Sequence, residues 1–429
     1  MSKTKKIWAV VVGCGNRGSI YADYTLTHGD EFGIAAVVDP NPFKLHEFQK
    51  LYNLANDRLF SSFDDFLKSN VYCDFVINTT MDQYHYETAM QIINAKYDML
   101  IEKPVVPNKE QLLEIKRAAE ANNVRVFVCH VLRYSPFYKK IKEVILSGAI
   151  GEIVTMEMNE HVGLSHYLVS YTRGKWNNES ACGSSFLLAK CCHDLDLICW
   201  LNNSTIPTHV TGFGARAQYI PEKAPIDSTE YCYQCKYRDS CIYDADKEYV
   251  QRGAMPFLVW DKLNKPLEDI TDEEKREHLK TDIYGKCAYK CGGDITDRQN
   301  VLVQFENKSI ASFTLVSGAM KGGRDINIVG TLGEIQGNLE SNKIIVRAFN
   351  KQTRWCDYQE INIEHAANTN KGGHSGGDVG LMHDLLAYLN GEGSSVSLTT
   401  LNDSIYGHLC VYAAEEARKT LSVVPLTKL

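Results

Sequence analysis

No run of apolar residues in this 429-residue chain is long enough to cross a bilayer as a helix. No basic stripe appears either: 46 Lys and Arg stand against 53 Asp and Glu, a net charge of −7, which argues against a nucleic-acid partner. Internal repeats and low-complexity tracts are absent, which excludes solenoids and disordered linkers. The start, Met1-Ser2-Lys3-Thr4-Lys5-Lys6, has the charge of a secretory leader but not its apolar length. Only Ile7 to Val12 follow, and they run into glycines rather than a small-residue cleavage site. The chain therefore reads as cytoplasmic. Its 44% apolar and 23% charged residues are those of a globular protein, and its length calls for two domains.

What the chain does have, near its start, is Gly13-Cys14-Gly15-Asn16-Arg17-Gly18. Ile7 to Val12 reads as a buried parallel strand, and Gly18 to Thr27 as a helix, so this GxGxxG turn sits between strand and helix. The first glycine permits the tight turn, the second lets the backbone approach a pyrophosphate, and the third lets helix and strand pack closely. The helix N-terminus offers its free N–H groups to phosphate. A second strand, Gly33 to Val38, ends in Asp39. That is about 20 residues past the turn, where such folds place the acid that accepts from the adenosine ribose. A carboxylate there repels a 2′-phosphate and favours NAD over NADP.

Strands over 7–12, 34–38, 74–79, 98–101 and 125–129 alternate with helices over 17–27, 42–53, 62–69, 84–95 and 108–122. This rhythm predicts a doubly wound parallel sheet with its ligand beyond the carboxyl ends of the strands. After Gly148 the apolar period becomes two, over 152–162, 208–219, 299–306, 309–317, 324–331, 333–339 and 343–350, as in half-buried strands. Residues 220–296, charged and rich in Tyr and Cys, read as an insertion, and helices over 378–390 and 401–419 close the chain. The expected organisation is α/β: a Rossmann domain over 1–133, then an α+β domain over 134–429 with a large, mostly antiparallel sheet.

Four further segments carry a resemblance. Tyr84-His85 with Glu102-Lys103-Pro104, Val131-Leu132-Arg133-Tyr134-Ser135-Pro136, Gly148-Ala149-Ile150-Gly151-Glu152 and His193-Asp194-Leu195-Asp196 are similar to motifs of the Gfo/Idh/MocA oxidoreductases, over nearly the whole chain. The family acts on sugars, cyclitols and related polyols with NAD(P). The resemblance implies Lys103 and His193 as catalytic groups. It also implies a cofactor site of Gly13, Gly15, Asn16, Arg17, Gly18, Asp39, Thr79, His85, Glu102, Lys103 and Arg133. Asp196 is implied as a substrate acceptor, and a homodimer or homotetramer as the assembly. Many members carry an Asp four residues before the histidine. Here that residue is Ala189, and Lys190 beside it is expected to take over substrate binding or acid–base work. The Lys190-Cys191-Cys192-His193-Asp194 run and the Cys-rich insertion resemble a subgroup.

Sugar sites want planar hydrogen-bonding groups and an aromatic face. Glu160-His161, His166, Arg173 and Trp176 are candidates for these, as is His374 within Gly372-Gly373-His374-Ser375-Gly376-Gly377-Asp378. Asp378 is expected to cap the helix that follows, and Asp297-Arg298 to reach the site. The expected reaction is NAD-dependent hydride transfer at a secondary alcohol of a sugar, glycoside or cyclitol. The alternative is an NAD-dependent glycosidase or lyase working through a transient 3-keto sugar. Of the 14 cysteines, Cys14, Cys73, Cys129, Cys182, Cys199, Cys356 and Cys410 stand singly and read as reduced core thiols. Cys232-x2-Cys235-x5-Cys241 and Cys287-x3-Cys291 bracket the insertion. In a reducing compartment the spacing suggests a structural zinc held by Cys232, Cys235, Cys241 and one of Cys287 or Cys291.

Overall fold

The computed structural model describes residues 5–364 and 374–429. Its first sheet has six parallel strands: β1 (Ile7–Val12), β2 (Phe32–Val38), β3 (Leu59–Phe60), β4 (Phe75–Asn78), β5 (Asp98–Ile101) and β6 (Val126–Val128). The spatial order is β3-β2-β1-β4-β5-β6. All seven residues of β2 are buried, because helices cover both faces of a parallel sheet. Local chemistry places those helices. Asn41 accepts from Phe43 N and Pro42 opens Pro42–Tyr52, while Asn108 accepts from Gln111 N to open Lys109–Asn122. Two details differ from expectation. The 17–27 helix is broken at Asp23 into α1 (Asn16–Ala22) and a single turn, Tyr24–Thr27. The two-residue β3 was not foreseen, being too short to show a period.

The second sheet has nine strands: β7 (Ile153–Gly163), β8 (Pro207–Ala215), β9 (Arg298–Phe305), β10 (Ile310–Ala319), β11 (Asp325–Gly330), β12 (Gly333–Asn338), β13 (Lys343–Asn350), β14 (Trp355–Asn362) and β15 (Val424–Pro425). They lie in the order β14-β13-β12-β11-β7-β10-β9-β8-β15. Only β7 and β10 run parallel; the other named pairs are antiparallel. β8 ends at Ala215 rather than near 219, because Ala217 N and Gln218 N turn to donate to the Asp297 carboxylate. β14 has almost every residue exposed, so it lacks the alternation that marks a strand in sequence. It also carries Cys356, which is exposed and not a core thiol.

Helix α2 (Phe186–Leu201) lies between this sheet and the long helix Leu401–Thr420, with 15 of its 16 residues buried. A helix apolar on most sides is an interior helix. Gly407 of the long helix allows the near approach: a Cβ there would stand 2.7 Å from the Asp196 Cα. His193, Asp194 and Asp196 of α2 are therefore held among other protein groups, while Lys190 is the one residue of the helix that is only partly buried. The insertion lies between β8 and β9 as short helices around a small core of its own, including Tyr249, Trp260, Leu279 and Tyr284. Among the described residues no helix is long and apolar enough to cross a membrane.

Candidate active site

The glycine turn leaves β1 at its carboxyl end, where the strand order reverses between β1 and β4. Gly13 has φ +96°, and a Cβ on it would stand 2.5 Å from the Thr79 carbonyl oxygen, so only glycine fits. A Cβ on Gly18 would lie 2.3 Å from the Gly13 oxygen. Gly15 differs: nothing lies within 4 Å of where its Cβ would be, and as the N-cap of α1 it brings no side chain to the first turn. That open side leaves room for a pyrophosphate, which fits NAD. Asn16 is exposed on the same turn. Asp39 lies just past β2, and its carboxylate accepts from Cys14 N and Asn41 N, both at 2.8 Å, which fixes the acid at the mouth of the turn.

Glu102-Lys103-Pro104 leave β5 on the same side of the sheet. Glu102 is buried and accepts from Arg17 Nε (2.6 Å), Tyr21 OH (2.6 Å) and Lys103 N (2.8 Å). Burial works against its charge, but Arg17 and Lys103 outweigh it and hold the carboxyl below its usual range. Lys103 Nζ crosses to α2 and donates to Ala189 O at 2.7 Å. The expected acid is absent at position 189, so the lysine meets a backbone oxygen there.

Beside Ala189, the Lys190 ammonium lies 3.4 Å from Glu160 Oε1. Glu160 Oε2 pairs with Arg324 Nη1 at 2.8 Å, and Arg324 Nε donates to Asp194 Oδ1 at 2.7 Å. This buried network joins β7, α2 and the start of β11. Burial opposes the Glu160 charge, yet Arg324 and then Lys190 keep its carboxyl below the usual range. Four imidazoles run in a row from here: His374 to His193 at 5.5 Å, His193 to His130 at 5.7 Å, and His130 to His408 at 5.2 Å between ring centroids. His193 and His130 are buried, and neither has a hydrogen-bond partner on either ring nitrogen. Burial, then the Lys103 charge, holds His193 well below its usual pKa. His408 accepts from Val105 N at 3.0 Å, and burial holds it down at about 3. His166 faces the same groups: the Lys190 charge, ahead of burial, lowers its pKa, with Lys103, Arg324 and His374 adding to it.

Several expected site residues have other work. Arg133 pairs with Asp196 through two contacts, Nε–Oδ2 2.7 Å and Nη2–Oδ1 2.5 Å, both side chains buried, so each is engaged by the other. His85 has both ring nitrogens against carbonyl oxygens, Pro104 O at 2.7 Å and Thr80 O at 2.9 Å, and pins the Lys103 loop instead of touching a ligand. Thr79 Oγ1 donates to Gly13 O at 2.7 Å and braces the turn. The Arg17 guanidinium is engaged by Glu102, Asp378 and Tyr21 OH. Arg173 is fully buried against the insertion, donating to Lys286 O, Tyr249 OH and Tyr243 O, which excludes it from a sugar site. Trp176 Nε1 donates to Asp82 Oδ2 at 3.1 Å, so its polar edge is taken. His161 lies one residue past the inward Glu160 and points to the opposite face of the sheet, in a groove of about 640 Å³ with Asn159, Thr314 and Asn327. Asp297 receives Ala217 N and Gln218 N, and Arg298 is exposed, so neither reaches the site.

Asp378 does not cap its helix, Gly377–Leu389, which has Gly376 at the N-cap and no side-chain cap. It accepts from Arg17 Nη2 at 2.6 Å, and its other oxygen lies 3.0 Å from His374 Nδ1. Gly372 and Gly373 lie outside the described residues. The expected zinc site is also not formed: among the described residues no three His, Cys, Asp or Glu side chains are arranged to hold a metal ion. Cys232, Cys235, Cys241 and Cys287 line one small cavity as free thiols, and Cys291 donates instead to Cys287 O at 3.2 Å.

A dinucleotide turn whose neighbouring loop sends a lysine across to a helix of a second, large-sheet unit defines a two-part nicotinamide oxidoreductase. Comparison with known proteins gives the family. Residues 7–130 match the family model described as "Oxidoreductase family, NAD-binding Rossmann fold", and residues 142–426 match "Oxidoreductase family, C-terminal alpha/beta domain". The chain belongs to this Gfo/Idh/MocA family of NAD-dependent oxidoreductases. It is similar to YteT of Bacillus subtilis, 25% identical over 368 residues, 82% of each chain. It is also similar to an inositol 2-dehydrogenase of Corynebacterium glutamicum, 23% identical over 210 residues, 48% of this chain and 56% of that protein. In fold it matches a levoglucosan dehydrogenase solved with NADH, at TM-score 0.70 and 16% identity, over 99% of this chain and 100% of the other.

Proposed function

We propose that this chain moves a hydride between NAD and a secondary alcohol carbon of a sugar, glycoside or cyclitol. One observation carries the reading: Lys103, from the loop after β5, reaches α2 at Ala189, beside Lys190 and four residues before His193. The inositol and levoglucosan dehydrogenases among the similar proteins support a polyol as substrate. Bound NAD supplies the hydride acceptor. Lys103 offers an ammonium to the reacting oxygen and steadies its developing negative charge. Lys190, oriented by Glu160, and His166 hold further hydroxyls of the substrate. His193 forms a buried wall beside them.

The test is the purified protein with NAD⁺ and a panel of sugars, glycosides and cyclitols, followed at the NADH absorbance together with product analysis. NADH accumulating with one group of substrates is the expected result. Product released without NADH overturns it in favour of an NAD-dependent glycosidase or lyase. Asp39 predicts the cofactor choice. NAD⁺ is expected to bind on the order of 100-fold more tightly than NADP⁺, because opposing a 2′-phosphate to a fixed carboxylate costs several kcal/mol. Asp39→Asn is expected to narrow that ratio to within about tenfold by removing the like charge; fluorescence titration of both dinucleotides reads it.

A further inference from the structure

Building on the proposed polyol oxidation, we infer that His374, held by Asp378, is the group that takes the substrate's hydroxyl proton. Four observations lead to it. First, His374 Nδ1 lies 3.0 Å from Asp378 Oδ2, so Nδ1 carries the proton and Nε2 presents its lone pair. A carboxylate behind an imidazole fixes the tautomer and stabilises the imidazolium that forms. Second, Asp378 is itself secured, because Arg17 Nη2 donates to its other oxygen at 2.6 Å. Arg17 belongs to the nucleotide turn and also holds Glu102, the neighbour of Lys103. The dyad is thus registered to both the cofactor turn and the lysine. Third, the His374 side chain is 27% exposed, whereas His193 and His130 are 3% and 1% exposed. Fourth, the rival groups are poorly placed for the task. His193 has no partner to orient either nitrogen, Lys190 pairs with Glu160, and Ala189 offers no carboxylate.

The step balances. The C–H electron pair leaves with its hydrogen as hydride to NAD⁺. The O–H pair becomes the second carbonyl bond, and the proton ends on His374 Nε2. The charged and titratable groups acting on His374 are Asp378 in the first turn of the helix that follows it, Arg17 on α1, and Lys190 and His193 on α2, with His166 beyond. Burial lowers the His374 pKa, and Asp378 opposes that lowering. Oxidation therefore fails as pH falls and the base takes up a proton. Without Asp378 the imidazolium loses its support, so that limb moves to lower pH.

The experiment uses the full-length enzyme. It reads kcat against pH with the substrate found in the panel, for wild type, His374→Gln, His374→Asn, Asp378→Asn and His193→Gln, with melting curves to confirm folding. Alongside, ¹⁵N NMR of histidine-labelled protein reads the tautomer. Both His374 variants are expected to lose about 10²–10⁴-fold in kcat, the usual contribution of a general base, and to lose the acidic limb. Asp378→Asn is expected to shift the limb downward and to abolish the single Nδ1–H signal, while His193→Gln keeps the limb. The inference is overturned if His193→Gln removes the limb and the His374 variants keep it, or if His374 is found with its proton on Nε2. If the wild type oxidises no polyol, the proposed function fails, and the tautomer measurement still decides the dyad.

Discussion

Lys103→Met is expected to lower kcat by about 10²–10³-fold, the range seen when one preorganised donor to a developing charge is removed. The thioether keeps the length of the stem but loses the ammonium that now donates to Ala189 O. No acidic side chain on α2 meets Lys103 at that position. Its charge is left for the reacting oxygen, which gains negative character only as the hydride departs. The interaction is stronger in the transition state than in the ground state, so the loss belongs in kcat rather than in KM. NAD⁺ affinity, set by the glycine turn and Asp39, is expected to stay within about threefold, since the lysine is not one of the turn's contacts. Steady-state kinetics and a fluorescence titration of NAD⁺ on the same preparation separate the two. A fall in NAD⁺ affinity as large as that in kcat would instead make Lys103 a cofactor anchor.

Arg324→Met is expected to be the most damaging substitution for stability, at about 3–5 kcal/mol. The guanidinium lies between two buried carboxylates, Glu160 and Asp194, at 2.8 and 2.7 Å. Removing it leaves two like charges in a dry setting with only Lys190 near. The pH dependence distinguishes this from a simple packing loss. In the wild type the Glu160 carboxyl is held below its usual pKa, so the stability it contributes is present at neutral pH and is lost as pH falls below the unfolded value, about 4.5. In the variant, burial without Arg324 raises the folded pKa, so the penalty grows as pH rises. Urea denaturation at pH 8 and at pH 4.5 should therefore show a larger difference between the two proteins at pH 8. Adding Glu160→Gln should recover part of the loss at pH 8, because it removes one of the stranded charges.

The parts of the site that could be read in the sequence are those defined by local geometry. Gly13 is glycine because its φ and its contact with Thr79 admit nothing else, and that demand appears as a spaced motif. Lys103 and His193 stand in short motifs at the end of a strand and in one helix, so they too are visible. The expected residues that bond elsewhere share one reason: a polar residue near the site in sequence need not face it. His161 differs from Glu160 by one position on β7, and one position reverses the face of a strand. Arg133, Asp196 and Arg173 are buried and Trp176 is half-buried, each bonded to a partner that no local pattern reveals. Arg324 was missed altogether because its carboxylate partner Asp194 lies 130 residues away. The cysteine spacing suggested a metal; Cys232, Cys235, Cys241 and Cys287 line a small cavity, Cys291 donates to Cys287 O, and no metal-ligand geometry is formed among the described residues.

Legible in the sequence were most strands of the two sheets, the order of those strands along the chain, the glycine turn with Asp39 beyond it, and the lysine after the fifth strand. Apolar period and glycine demand are properties of a few consecutive residues, and they survive without knowledge of anything distant. Which charges meet depends on how distant parts of the chain pack. Arg17 and Asp378 are 361 residues apart and touch at 2.6 Å, and through that contact a turn that binds a nucleotide sets the orientation of His374. Such pairings depend on how α1, α2 and the helix after Gly376 pack, and burial then makes each unpaired charge too costly to tolerate.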